Sequence, residues 1–152
     1  MVQPEGALEM AVANILLVDD EVSFVEAMTR RLIRREMSVE TAFSGSEALG
    51  CLDTHGTIEV VILDVKMPGM DGIQTLREIK AQHPLVEVIM LTGHATVESA
   101  IEGMNLGAFD YLMKPCDMDV LIAKVKEASD KKRRHEEKII QARLKEITAR
   151  RP

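Results

Sequence analysis

The sequence predicts an α/β fold: a doubly wound parallel sheet with helices on both faces. Three observations predict it. Short apolar runs alternate with amphipathic helical stretches five times within about 120 residues, the rhythm of successive β-α units. Four of the runs are followed at once by a residue with chemistry to offer: Asp19-Asp20, Asp64, Thr92 and Lys114. A chain of 152 residues, 46% hydrophobic and 29% charged, can close one core and is too apolar to stay unfolded. Right-handed crossovers place the C-terminal ends of parallel strands along one edge, so these residues are expected to converge there.

Residues 1–12, with Pro4 and Gly6, read as a flexible leader. Asn14 to Val18 is an apolar strand running into Asp19-Asp20-Glu21. Phe24, Val25, Met28 and Leu32 recur at helical spacing, and Arg30, Arg31, Arg34 and Arg35 cluster near the C-terminal end, where cations suit the helix dipole. Val39 to Phe43 is the second strand. Ser44 and Glu47 have capping-box spacing ahead of a helix carrying Ala48, Leu49 and Leu52, which Gly56 closes. Val60 to Leu63 reads as a strand buried on both faces, delivering Asp64 to a Pro/Gly-rich loop. Asp71 caps a third helix bearing Ile73, Leu76 and Ile79 that stops before Pro84. Val86 to Thr92 is the fourth strand and Val97 to Met104 the fourth helix, ended by Gly107. Phe109 to Met113 is the fifth strand, and Asp117 opens the last helix, with Leu121, Ile122 and Val125 turned inward.

Composition narrows the class. No apolar run approaches the roughly 18 residues of a membrane span, and the first residues lack the pattern of a secretory signal, so a cytoplasmic protein without a membrane partner is expected. Cys51 and Cys116 lack metal-ligand spacing and read as reduced thiols. Net charge is −6, unevenly spread: residues 124–152 hold eleven Lys/Arg against five Asp/Glu, or +6, leaving −12 for residues 1–123.

The converging residues imply a chemistry. Clustered carboxylates repel one another unless a cation joins them, and oxygen-only ligands favour a hard divalent ion, most simply Mg²⁺, over zinc. An added lysine and threonine supply what an anionic phosphoryl group requires, an ammonium for its charge and a donor for one oxygen. No phosphate-binding glycine loop is present, so a bound nucleotide is not indicated. A carboxylate can itself be the nucleophile, and Asp64 fits that role.

Asp19-Asp20, Asp64 within LDVKMPGMDG, Thr92 and Lys114-Pro115 together resemble the receiver domain of two-component response regulators, over about residues 13–128. The resemblance implies a flavodoxin-like five-stranded sheet of order 2-1-3-4-5. It implies that Asp64 accepts a phosphoryl group from a histidine kinase. Asp20, Asp64 and the backbone carbonyl of Lys66 would hold Mg²⁺, with Asp19 helping through water. Lys114 would pair with the phosphoryl group, Thr92 would donate to it, and Tyr111 would be the switch aromatic; the Lys114-Pro115 bond is expected to be cis. Lys66 and His94, two residues beyond Asp64 and Thr92, would tune acyl-phosphate lifetime. The segments around Thr92–Ala100 and Gly107–Cys116 are most similar to receivers of enhancer-binding transcription regulators. The implied role is regulatory: a phosphoacceptor that assists its own phosphorylation and dephosphorylation.

Residues 129–152 are expected to form a basic helical tail or linker helix. Ile140, Leu144 and Ile147 make a short apolar stripe, interrupted upstream by polar residues 131–137. This fits either a solvated helix or a homodimer contact, and the resemblance to receivers implies a second possible dimer surface, the face of helix four, strand five and helix five. No aromatics or helix-turn-helix accompany the basic tail, so direct nucleic-acid binding is not expected. Two rival readings stand beside the receiver. One is an aspartate-nucleophile phosphohydrolase, which would want a general acid where Lys66 stands; the other is an interaction scaffold that is not phosphorylated.

Overall fold

The computed structural model describes residues 11–150; most of the expected leader, residues 1–10, lies outside the described residues. Five strands, β1 (Asn14–Val18), β2 (Ser38–Ala42), β3 (Val60–Leu63), β4 (Glu87–Thr92) and β5 (Asp110–Met113), form one sheet of order β2-β1-β3-β4-β5. Every pairing is parallel. Five helices connect and follow them: α1 (Val22–Arg34), α2 (Gly45–Thr54), α3 (Gly72–Gln82), α4 (Val97–Asn105) and α5 (Met118–Ala149). The topology is the doubly wound one expected, and observed element ends lie within about two residues of the sequence reading.

Side-chain alternation along the strands divides the core in two. Ile15, Leu17, Val60, Ile62, Ile89 and Leu91 pack with Val25, Met28 and Leu32 of α1 and with Leu121, Ile122, Val125 and Ala128 of α5. Leu16, Val18, Val61, Leu63, Val88 and Met90 pack on the other face with Ala48 and Leu52 of α2 and Leu76 and Ile79 of α3. Strands β3 and β4 are buried along their whole length, which is why β3 and the Val88–Leu91 stretch of β4 are written as continuous apolar runs. Helix α4 is the exception. Its one buried residue is Gly103, while Val97, Ile101 and Met104 stand exposed.

Local signals act as the sequence implies, with two differences. Ser44 Oγ accepts from the N–H of Glu47, but the Glu47 carboxylate accepts from the N–H of Phe43 rather than from Ser44, so the box closes one residue early. Helix α2 ends at His55 rather than at Gly56: the His55 N–H reaches the Cys51 carbonyl, and its ring Nδ1 lies 3.0 Å from the same oxygen. Gly107, at φ 100°, closes α4 as a left-handed cap, its N–H on Met104 O and that of Ala108 on Gly103 O.

The last helix is continuous for 32 residues. Burial does not stop at residue 128. Ser129 and Lys132 are buried, and Arg133 donates to both carboxylate oxygens of buried Glu59, through Nε to Oε2 at 2.5 Å and Nη2 to Oε1 at 3.0 Å. Lys131 lies 3.5 Å from the Glu87 carboxylate, an ion pair without hydrogen-bond geometry. Glu59 and Glu87 mark the N-terminal edge of the sheet, so α5 is fastened at the end opposite the strand tips that carry Asp19, Asp64 and Thr92. Ile140, Leu144 and Ile147 lie beyond that fastening and are exposed.

Candidate functional site

Register builds the site. Val18 pairs with Leu63, so Asp19 and Asp64 follow neighbouring strand ends, and the Asp64 N–H donates to Val18 O. Leu63 pairs with Met90, which brings the end of β4 alongside, and Thr92 pairs with Met113, which sets Lys114 beside it. The Lys114 N–H donates to Thr92 O, and the Lys114-Pro115 peptide is cis. Four strands thus deliver the four expected positions to one edge.

Asp19, Asp20 and Asp64 each offer a carboxylate oxygen within 4.8 Å of the others. Their environments differ. Asp19 is buried and doubly engaged, with Oδ2 accepting from Lys114 Nζ at 2.5 Å and Oδ1 accepting from the Glu21 N–H. Asp20 is exposed. Asp64 is 3% exposed, and its Oδ1 accepts from the Val65 N–H at 2.9 Å. Burial pushes the Asp64 carboxyl above the ordinary carboxylate range; the Thr92 hydroxyl pulls it back, the Asp19 charge raises it further, and Lys114 and the Val65 N–H lower it. The cluster is oxygen-only, as a hard divalent cation prefers.

A cleft of about 500 Å³ opens over this edge, lined by Asp20, Glu21, Asp64, Lys66, Met67, Pro68 and His94. Lys66 and His94 therefore border the same space as Asp64. Thr92 is fully buried, and its Oγ1 accepts from the His94 N–H at 3.0 Å, tying the loop after β4 to the site. Tyr111 does not line the cleft. It is half-buried against the β3–α3 side of the core, with its hydroxyl 2.6 Å from Ser99 Oγ.

Sequence reasoning missed four contributors. Phe24, read only as a core residue of α1, puts its ring centroid 3.9 Å from Lys114 Nζ. Glu21 approaches the same ammonium at 4.0 Å, and its place directly after the acid pair was the available signal. Gly72 backs onto the end of β3 so closely that a Cβ there would lie 1.9 Å from the Asp64 carbonyl oxygen. Ser99 is the fourth; a serine three residues after a helix-capping threonine is too common a pattern to single out. The thiols of Cys51 and Cys116 are free, and burial pushes both above the ordinary thiol range, which makes them weak nucleophiles.

Residues 15–126 match the model of the response regulator receiver domain. The chain is 41% identical over 112 residues to the DNA-binding transcriptional regulator NtrC of Klebsiella pneumoniae, covering 74% of this chain and 24% of that protein. It is 41% identical over 108 residues to the transcriptional regulatory protein ZraR of Salmonella typhimurium, covering 71% and 24%. The chain therefore spans about a quarter of the length of these curated relatives. Among solved structures, a response regulator receiver domain protein from Clostridium thermocellum superposes with a TM-score of 0.76 at 38% identity, covering 80% of this chain and 97% of that one. NtrX from Brucella abortus superposes with a TM-score of 0.74 at 34% identity, covering 82% and 29%. No described helix is long and apolar enough to cross a membrane. With its fold, its strand-end acids and these similarities agreeing, the chain belongs to the response regulator receiver family.

Proposed function

We propose that this receiver accepts a phosphoryl group from a histidine kinase onto Asp64 and relays the event as a conformational change, in the service of transcription regulation. The observation that carries the reading is the meeting of Asp64 with Asp19, Asp20, Thr92 and Lys114 at one edge of the sheet, each strand supplying its own part, with Asp20 and Asp64 opening onto the cleft. An Asp64 carboxylate oxygen attacks the phosphorus of a phosphohistidine. The P–N bond breaks, the imidazole nitrogen keeps the electron pair and takes a proton, and an acyl phosphate is left on Asp64.

Asp20, Asp64 and the Lys66 carbonyl would hold Mg²⁺, with Asp19 contributing through water; when bound, the ion neutralises charge on the phosphoryl oxygens. Asp19 suits the indirect role because both its oxygens are already engaged. Lys114, now on Asp19, is one side-chain reorientation from a phosphoryl oxygen, and Thr92 donates its hydroxyl to another. Lys66 and His94, at the cleft wall, govern approach of the hydrolytic water, so the domain assists both gain and loss of its phosphoryl group. Thr92 and Tyr111 then shift the population of α4, the helix with least of itself in the core.

We assign residues 13–128 to the receiver and 129–152 to a linker helix whose first turns still pack on it. Cytoplasmic location follows from the kinase chemistry proposed. A homodimer would form through the exposed α4–β5–α5 face or through Ile140, Leu144 and Ile147. Light scattering with and without phosphorylation, on the full chain and on one ending at Ser129, separates these. The central test is intact mass after acetyl phosphate and Mg²⁺. Wild type should gain one phosphoryl group and Asp64→Ala none; an equal gain in both overturns the assignment.

A further inference from the structure

The hydroxyl of Ser99 is oversubscribed. Ser99 and Thr96 form a capping box at the N-terminus of α4: Thr96 Oγ1 accepts from the Ser99 N–H at 3.0 Å, and Ser99 Oγ accepts from the Thr96 N–H at 3.2 Å. The same Oγ lies 2.9 Å from Thr96 Oγ1, donates to the Thr96 carbonyl at 3.1 Å, and stands 2.6 Å from the Tyr111 hydroxyl. A serine hydroxyl has one proton and two lone pairs, so it can satisfy three of these four partners at once. Tyr111 thus competes with the helix cap for one oxygen.

We propose that Ser99 is a positioning residue of the switch, its hydroxyl holding Tyr111 in the unphosphorylated rotamer so that release of the tyrosine and full capping of α4 are one event. The proposal rests on the reading that Tyr111 responds to Asp64 through Thr92. The connection is short. Thr92 Oγ1 accepts from the His94 N–H, and a threonine hydroxyl can keep that bond while donating to a phosphoryl oxygen. A shift of Thr92 is carried by residues 93–95 to Thr96, the residue that shares Ser99 with Tyr111. The ring of Tyr111 lies against Gly103 of the same helix, where an added Cβ would sit 3.7 Å from Cδ2, so rotation of the ring also changes the packing around the one buried residue of α4.

The chain supplies its own reporter, because Tyr111 is the only tyrosine and there is no tryptophan. Tyrosine emission and its quenching by acrylamide are measured on the full chain, alone and with Mg²⁺ and beryllofluoride, for wild type, Ser99→Ala and Ser99→Thr. Intact mass after acetyl phosphate is read in parallel. Ser99→Ala should move the resting signal toward the activated one, displacing the rotamer equilibrium roughly fivefold, the size of one neutral hydrogen bond. Ser99→Thr, which keeps the hydroxyl, should restore the wild-type resting signal. A merely structural role for Ser99 would change thermal stability without this displacement. Absence of phosphorylation in wild type overturns the Asp64 reading and the Ser99 proposal with it. Phosphorylation without any Tyr111 response overturns the switch and the Ser99 proposal but spares Asp64. A responsive Tyr111 whose resting signal is the same in Ser99→Ala overturns the Ser99 proposal alone.

Discussion

Replacing Arg133 by alanine tests whether the last helix is held by chemistry or merely lies where its predecessor points. Arg133 gives two hydrogen bonds to the Glu59 carboxylate and a third, through Nη2, to Val12 O at 3.1 Å. Removing it leaves the carboxylate with the Asn14 N–H, 3.0 Å from Oε1, as its chief donor. Breaking a buried ion pair by deleting one partner costs about 3–5 kcal/mol, whereas an exposed pair contributes about 0–1 kcal/mol. Here the carboxylate side chain is 7% exposed and the arginine side chain 46%, so one end is buried and the other wet. The expected cost of Arg133→Ala is therefore about 2 kcal/mol, read by urea denaturation, or about 6 °C in Tm. Glu59→Gln should cost less, about 1 kcal/mol, because it removes the buried charge along with the need to balance it. Arg150→Ala is the control: its partner Glu146 and Arg150 itself are both exposed, and the change should stay within about 0.5 kcal/mol. Equal losses for Arg133→Ala and Arg150→Ala would refute the reasoning.

The site gives three further expectations. Gly72→Ala drives a Cβ into the Asp64 carbonyl and the Val65 Cα, backbone that cannot yield, and should cost more than about 3 kcal/mol in urea and abolish phosphorylation by acetyl phosphate; wild-type stability would contradict the contact. Asp64 holds its proton more tightly folded than unfolded, so the folded state binds more protons and stability falls as pH rises from about 4 through the folded value. In EDTA, Asp64→Asn should accordingly be more stable than wild type at pH 7, with the gain vanishing below the ordinary carboxylate range; a gain independent of pH would assign it to something other than the charge. Phe24→Leu should lose about 1 kcal/mol of ring–ammonium attraction, and a double-mutant cycle with Lys114→Met should show that the loss depends on the lysine.

The strands and the members of the site were legible for one physical reason: a strand buried on both faces must be written as unbroken apolar sequence, so a charge at its end stands out. Asp64 after Val60–Leu63 is visible on that ground alone, and Thr92 as the hydroxyl on which the apolar run of β4 ends. What the pattern cannot carry is which group touches which. Lys114 sits on Asp19 rather than on Asp64, across 95 positions, because the pairing of Val18 with Leu63 and of Thr92 with Met113 sets their relative height. The tie between Ser99 and Tyr111 likewise joins a position the sequence singled out to one it did not, and only the packing of α4 on β5 brings them together.

The tail shows the same limit from the other side. By sequence the receiver ends at residue 128 and the basic tail begins at 129, yet Lys132 is buried beyond that boundary and Arg133 is bonded to Glu59. The missing information was at the other partner. Glu59 and Glu87 precede or open apolar strands, as Asp19 and Asp64 follow them, so the sheet carries buried carboxylates at both ends. Their chemistry diverges with the cations supplied. At the N-terminal edge Arg133 meets Glu59, and Lys131, with Lys80 near it, meets Glu87, which leaves a fastening. At the C-terminal edge Asp19, Asp20 and Asp64 have, among the described residues, Lys114 as their one close ammonium, and it is spent on Asp19. Burial, and after it the neighbouring Asp19 charge, raise the cost of leaving Asp64 ionised, and net negative charge beside an open cleft favours an incoming cation. The same residue type thus fastens a helix at one edge and, where carboxylates outnumber the close ammonium, leaves net negative charge at the other.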